Sequence, residues 1–157
     1  MQVGGLHKKK KKMKPHGSRF EYENERNDNL MECYHELLTS AQFVRMPDIY
    51  SKVVNMPSRR FWVSEERAAI VVSAMMRGDS LDRMRPTKRE MYNEIYSRVI
   101  TLQQENPKLP ISQLVAQVVE QPAPKFYLTP GSAKVLICKI RKEWYFQRTK
   151  RRLRHLF

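Results

Sequence analysis

The chain has 157 residues, and its 30 Lys and Arg against 16 Asp and Glu give a formal net charge of +14. This length allows one ordinary domain or two very small ones, and it excludes a large enzyme. The excess of positive charge attracts polyanions, so nucleic acid is the expected partner.

The composition of residues 1–20 predicts a disordered basic tail, because these residues offer little apolar surface to bury. The tail contains a lysine run, formed by Lys8, Lys9, Lys10, Lys11 and Lys12. After the tail, apolar residues at spacings of three and four predict an amphipathic helix over residues 21–39.

Two further helices complete the first unit, which we place at 21–81. Pro57 ends a short helix that is predicted over residues 47–55. Ser64 is the expected N-cap of the third helix, and Gly78 is expected to stop it.

A second series of helices follows a polar linker at 82–89. Thr87 and Glu90 have the spacing of a capping box at the start of the first of these helices. Three helices are predicted in this second unit, 90–146, and their approximate spans are 88–104, 112–120 and 130–152. Residues 147–157 form a basic C-terminal tail, for which continuation of the last helix and detachment from it both stay open.

The two units are related by an internal repeat. The stretch 53–77 aligns with 118–142 without a gap, at a constant offset of 65 in residue number, and five positions are identical. Phe61 and Phe126 match, and each is followed by another aromatic residue, Trp62 or Tyr127. We therefore expect an all-α fold of two tandem three-helix units, in which each Phe is buried and its neighbour is half exposed.

The order of a long helix, a short helix and a third helix resembles helix-turn-helix folds. The resemblance covers most of the chain and includes no family-specific motif. It implies that the third helix of a unit enters the major groove while the second helix braces it. Because Glu65 and Glu66 at the start of the first unit's third helix would repel phosphate, the second unit is the preferred reader.

Candidate contacts to nucleic acid lie in both tails, in the connections before the aromatic pairs and on the last helix. Ser132 and Lys134 are placed near bases. All others are placed near phosphates, and an ordinary solvated surface is the alternative for each group. They are Lys8, Lys9, Lys10, Lys11, Lys12, Arg59, Arg60, Lys125, Lys139, Arg141, Arg148, Lys150, Arg151, Arg152 and Arg154.

The sequence predicts a protein without catalytic activity. It has no catalytic motif, and Cys33 and Cys138 lack a metal-ligand spacing, so we expect no metal, no cofactor and two small buried thiols. No apolar segment approaches the ~20 residues of a membrane helix, and we expect a cytoplasmic location.

The favoured function is that of a small DNA-binding regulatory or accessory protein, of a kind that would suit a phage or mobile element. Two alternatives stay open. One is a binder of RNA or ribonucleoprotein. The other is a helical protein-interaction module, with Trp62, Met75 and Met76 as an exposed apolar patch.

Overall fold

The structure is a computed structural model that describes residues 19–42 and 45–156, with side chains from Tyr22 onward. These residues form six α-helices and no β-strand, which confirms the all-α prediction. The helices are α1 (Arg19–Ser40), α2 (Met46–Val54), α3 (Glu65–Met76), α4 (Pro86–Glu105), α5 (Ile111–Val119) and α6 (Pro130–Arg154).

Helix starts follow the local sequence at α3 and α6. The hydroxyl of Ser64 accepts a hydrogen bond from the backbone N–H of Arg67 at 3.1 Å, as expected of an N-cap. The capping box predicted at Thr87 is wrong. Helix α4 begins at Pro86, whose fixed φ and missing N–H suit the first turn, so Thr87 already lies inside the helix.

The helices pack into two three-helix bundles that each combine both halves of the chain. In the first bundle α6 contacts α1 and α2, and in the second α3 contacts α4 and α5. The sequence grouped α1 with α3 and α4 with α6. The boundaries 21–81 and 90–146 stay predictions, and the contacts add that each half packs its third helix against the other half.

Each bundle has its own apolar core. In the α1–α2–α6 bundle the fully buried side chains are Leu30, Tyr34, Val53, Ala133 and Ile137. In the α3–α4–α5 bundle they are Phe61, Ala68, Val72, Ile95, Val99, Leu114, Val115, Val118 and Val119. Burial of one Val, Leu or Ile side chain contributes about 1.5–3 kcal/mol, so these cores hold α3 and α6 firmly in their bundles.

Two crossing segments, 55–64 and 120–129, carry the chain from one bundle to the other. Ser58 and Ala123 exchange both backbone hydrogen bonds, at 2.9 and 3.0 Å. Farther out, the N–H of Phe61 donates to the carbonyl of Val119 at 3.1 Å. The N–H of Phe126 donates to the carbonyl of Val54 at 3.0 Å. The crossing segments therefore satisfy each other's backbone polar groups.

The aromatic pairs fill the two cores near this crossing. Phe61 and Phe126 are buried and Trp62 is half-buried, as predicted. Tyr127 is only 8% exposed, so the prediction that it is half exposed is wrong. Its backbone has a φ of 55°, and its ring stacks on Phe61 with 6.0 Å between centroids. Burial raises the pKa of Tyr127 to about 12.

Candidate nucleic-acid interface

The cations of the crossing segments bind within the protein. Arg59 forms an ion pair with Glu32 of α1, and Lys125 forms one with Glu90 of α4. The guanidinium of Arg60 lies 3.9 Å from the centre of the Tyr22 ring. These contacts supply an intramolecular role for all three predicted phosphate ligands.

Helix α6 begins with a well-formed cap. The hydroxyl of Thr129 accepts a hydrogen bond from the N–H of Ser132 at 3.1 Å, and the two hydroxyls lie 2.9 Å apart. Ser132 and Lys134 are exposed in the first turns of the helix, where the helix dipole favours an anion. In α3 the corresponding first turn contains Glu65 and Glu66, and their carboxylates disfavour an anion there.

One side of α6 packs on the bundle and the other is open. Ala133 and Ile137 are fully buried against α1 and α2, with Leu136 and Ile140 partly buried beside them. The helix that braces α6 is therefore α2, whereas the expected helix-turn-helix arrangement assigns that place to α5. The crossing segments cause this difference, because they deliver α6 to the opposite bundle.

Helix α6 carries the densest positive charge of the described chain. The helix contains nine Lys and Arg residues and one carboxylate, Glu143, a net charge of +8. All nine cations are exposed. Across residues 19–42 and 45–156 there are three salt bridges, and none involves a cation of α6. These nine charges are thus free to neutralise a polyanion.

Helix α6 also includes most of the predicted C-terminal tail. It continues without a break to Arg154, so five of the predicted phosphate contacts occupy its last two turns: Arg148, Lys150, Arg151, Arg152 and Arg154. Residues 141–156 are all exposed. The structure therefore favours continuation of the helix over detachment. The lysine run Lys8 to Lys12 lies outside the described residues.

A shallow depression lies on the open side of α6. It is lined by Lys134, Val135, Cys138, Lys139, Lys142, Glu143 and Phe146. Cys138 is partly exposed there, so the prediction that both cysteines are buried holds only for Cys33. The reason is geometric, since Cys138 directly follows the inward-facing Ile137 on the helix.

Three exposed residues of α6 were absent from the predicted contacts: Lys142, Tyr145 and Phe146. The sequence did contain a signal for the two aromatic residues. Trp144, Tyr145 and Phe146 are consecutive, and successive helical residues point about 100° apart, so the three rings cannot all enter one core. Trp144 stacks on His35 of α1 at 6.1 Å and is 44% exposed, whereas the other two have no such partner among the described residues and are 64% and 61% exposed.

The apolar patch considered for a protein partner is mostly covered. Met75 and Met76 pack against the α3–α4–α5 core, and Trp62 packs against the α1–α2–α6 core. The described residues contain no group of three or more side chains suited to hold a metal ion. Among the described helices, none combines the length and apolarity that a membrane span requires.

Comparisons with known proteins do not assign a function to the chain. No protein-family model, no curated protein and no solved structure matches the chain.

Proposed function

We propose that this protein is a non-enzymatic DNA-binding protein that contacts its target with the exposed cations of α6. The observation that carries the proposal is the set of nine exposed cations on one helix, none of which has an ion-pair partner among the described residues. Lys and Arg in such an array neutralise successive phosphates and release condensed counterions.

The proposal assigns different tasks to the two parts of α6. The first turns contain small or flexible side chains, Ser132 and Lys134, on a helix that a second helix braces, as groove-reading helices are. The last turns contain only phosphate-binding cations among their charged residues. This combination suits a regulatory or accessory protein of the cytoplasm, where a reducing environment keeps both cysteines as free thiols.

A salt-dependent titration tests the proposal. The full chain is titrated by fluorescence anisotropy against labelled duplex DNA, single-stranded DNA and structured RNA. Because several phosphates are neutralised, affinity for DNA should fall about tenfold or more when salt rises from ~50 to ~200 mM. A chain starting at residue 20, which lacks the lysine run, should keep most of this dependence.

Polyglutamate of matched charge is the control for nonspecific attraction to a polyanion. Equal competition by polyglutamate and DNA would mean that the surface selects charge alone. Preference for structured RNA would move the assignment to an RNA-binding protein. Binding to none of the nucleic acids would reject the proposal.

We also propose that the chain is an internal duplication of tandem helix-turn-helix-like halves whose third helices are exchanged. The crossing contacts support it, because Ser58 and Ala123 pair with each other and are equivalent positions of the sequence repeat. The repeat offset also converts the Phe61–Val119 hydrogen bond into the Phe126–Val54 bond. Ile70 and Val135, another equivalent pair, are 54% and 67% exposed.

Equivalent core positions give the test of this duplication. Val53 and Val118 match in the repeat, lie in different bundles, and are both 0% exposed. Val53→Ala and Val118→Ala should each lower the free energy of unfolding by about 2 kcal/mol, and by similar amounts, because equivalent cavities open. Urea unfolding of each variant measures this loss. Losses that differ by much more than ~1 kcal/mol would contradict equivalent environments.

A further inference from the structure

Tyr145 and Phe146 are exposed aromatic residues on the basic end of α6. Their side chains are 64% and 61% exposed. Each water-exposed ring carries an energetic cost that a purely solvated helix would avoid by using polar residues. Trp144 differs, because it turns toward the bundle and stacks on His35.

Cations occupy the helix positions next to both rings. Lys142 and Lys150 lie four residues before and after Phe146. Arg141 lies four residues before Tyr145, and Arg148 lies three residues after it. Residues three or four apart are neighbours on a helix surface, so each ring is set between two positive charges along the helix.

This pattern discriminates among possible partners. A bilayer surface requires one continuous apolar face, but Arg141 and Lys142 lie one turn before Tyr145 and Phe146 on the same sides of the helix and interrupt such a face. A second copy of α6 would bring together two helices of net charge +8, which repel each other. A strand of unpaired nucleotides offers both phosphates for the cations and flat bases for the rings.

We propose that Tyr145 and Phe146 stack on unpaired bases of single-stranded DNA while the flanking cations hold its phosphates. The proposal deepens the DNA-binding function proposed above and rests on it. It assigns the distal half of α6 to single-stranded DNA or to the unpaired part of a target.

The test replaces both rings by an aliphatic side chain in the full chain, Tyr145→Leu with Phe146→Leu. Net charge is unchanged, and the exposed positions should leave the thermal midpoint unchanged. Affinity for a single-stranded oligonucleotide should fall about tenfold or more, since each stacked base contributes strongly. Affinity for a blunt duplex should stay within about twofold, and the salt dependence should be the same as that of the unaltered protein.

An abasic oligonucleotide of equal length isolates the stacking contribution. The unaltered protein and the Leu variant should bind it equally, because its phosphates remain and its bases are gone. Leu153→Ala, at another exposed apolar position of α6, is the matched control and should leave single-strand affinity unchanged.

Four outcomes would overturn the inference. The first is unchanged single-strand affinity in the Leu variant while the salt-dependent DNA binding persists, which leaves the proposed function intact. The second is an equal loss for duplex and single strand. The third is binding to anionic phospholipid vesicles that the Leu substitutions abolish while single-strand binding is unaffected. The fourth is absence of binding to every DNA, which rejects the proposed function itself.

Discussion

Reversal of two charges on α6, by Lys139→Glu with Lys142→Glu, should lower affinity for duplex DNA about tenfold or more near 0.1 M salt. Both lysines are exposed on the open side of the helix and lack an ion-pair partner among the described residues. Each contact between a lysine and a phosphate that is lost should also reduce the steepness of log affinity against log salt concentration by about 0.9. Anisotropy titrations at three or more salt concentrations measure both quantities.

The matched control applies the same chemical change elsewhere. Lys88 and Lys108 are also exposed but lie on α4 and in the loop after it, outside α6. Lys88→Glu with Lys108→Glu alters net charge identically, so it separates a local contact from the overall field of the protein. Equal losses in the two double variants would show that α6 is not the contact surface.

Cleavage of the backbone between α3 and α4 should leave the two halves of the protein bound to each other. A protease site inserted between Asp79 and Ser80, which are both exposed, allows the cut to be made after folding. Each half supplies a third helix to the other, with Val72 of α3 and Ile137 of α6 fully buried in the exchanged positions. Separation would return both helices to water, which opposes dissociation strongly.

Size-exclusion chromatography with light scattering reads out the result. The cut protein should elute as one species with the mass of the intact chain, and denaturation should be needed to release two fragments. A second cut between Arg148 and Thr149 is the control, because the short piece released from the exposed end of α6 should dissociate at once. Two species of half mass after the first cut would show that each half folds on its own.

The helices were predictable because their signals are local. Ser64 and Thr129 cap the helices that follow them, prolines mark several helix starts, and the predicted bounds differ from the observed ones by a few residues. The pairing of helices was not predictable in this way. Whether α6 packs on α5 or on α2 depends on the path of the crossing segment 120–129, whose backbone bonds to Val54 and Ser58 join stretches far apart in the chain.

The candidate site likewise has features that are local in sequence and features that depend on contacts between distant residues. The positive charge of α6 is visible in the sequence, since its cations are crowded into one helical segment with a single carboxylate. The ion pairs of Arg59 and Lys125 could not be predicted from the sequence. Their carboxylate partners, Glu32 and Glu90, belong to helices that only the fold brings near. The charge of α6 could therefore be predicted from the sequence, and the ion pairs of Arg59 and Lys125 could not.

The packing of α6 on α1 and α2 also determines how charge is distributed through the molecule. It joins α6 to the bundle that contains α1, while α3, α4 and α5 share a bundle in which acidic and basic residues nearly balance. Among the six helices, the excess of positive charge therefore lies in the α1–α2–α6 bundle and comes from α6, because α1 itself is acidic. The electric field of a polyanion would rotate such a protein so that α6 faces the partner before contact. Productive encounters would then be more frequent than for random orientations, and the balanced bundle would lie on the solvent side of the complex.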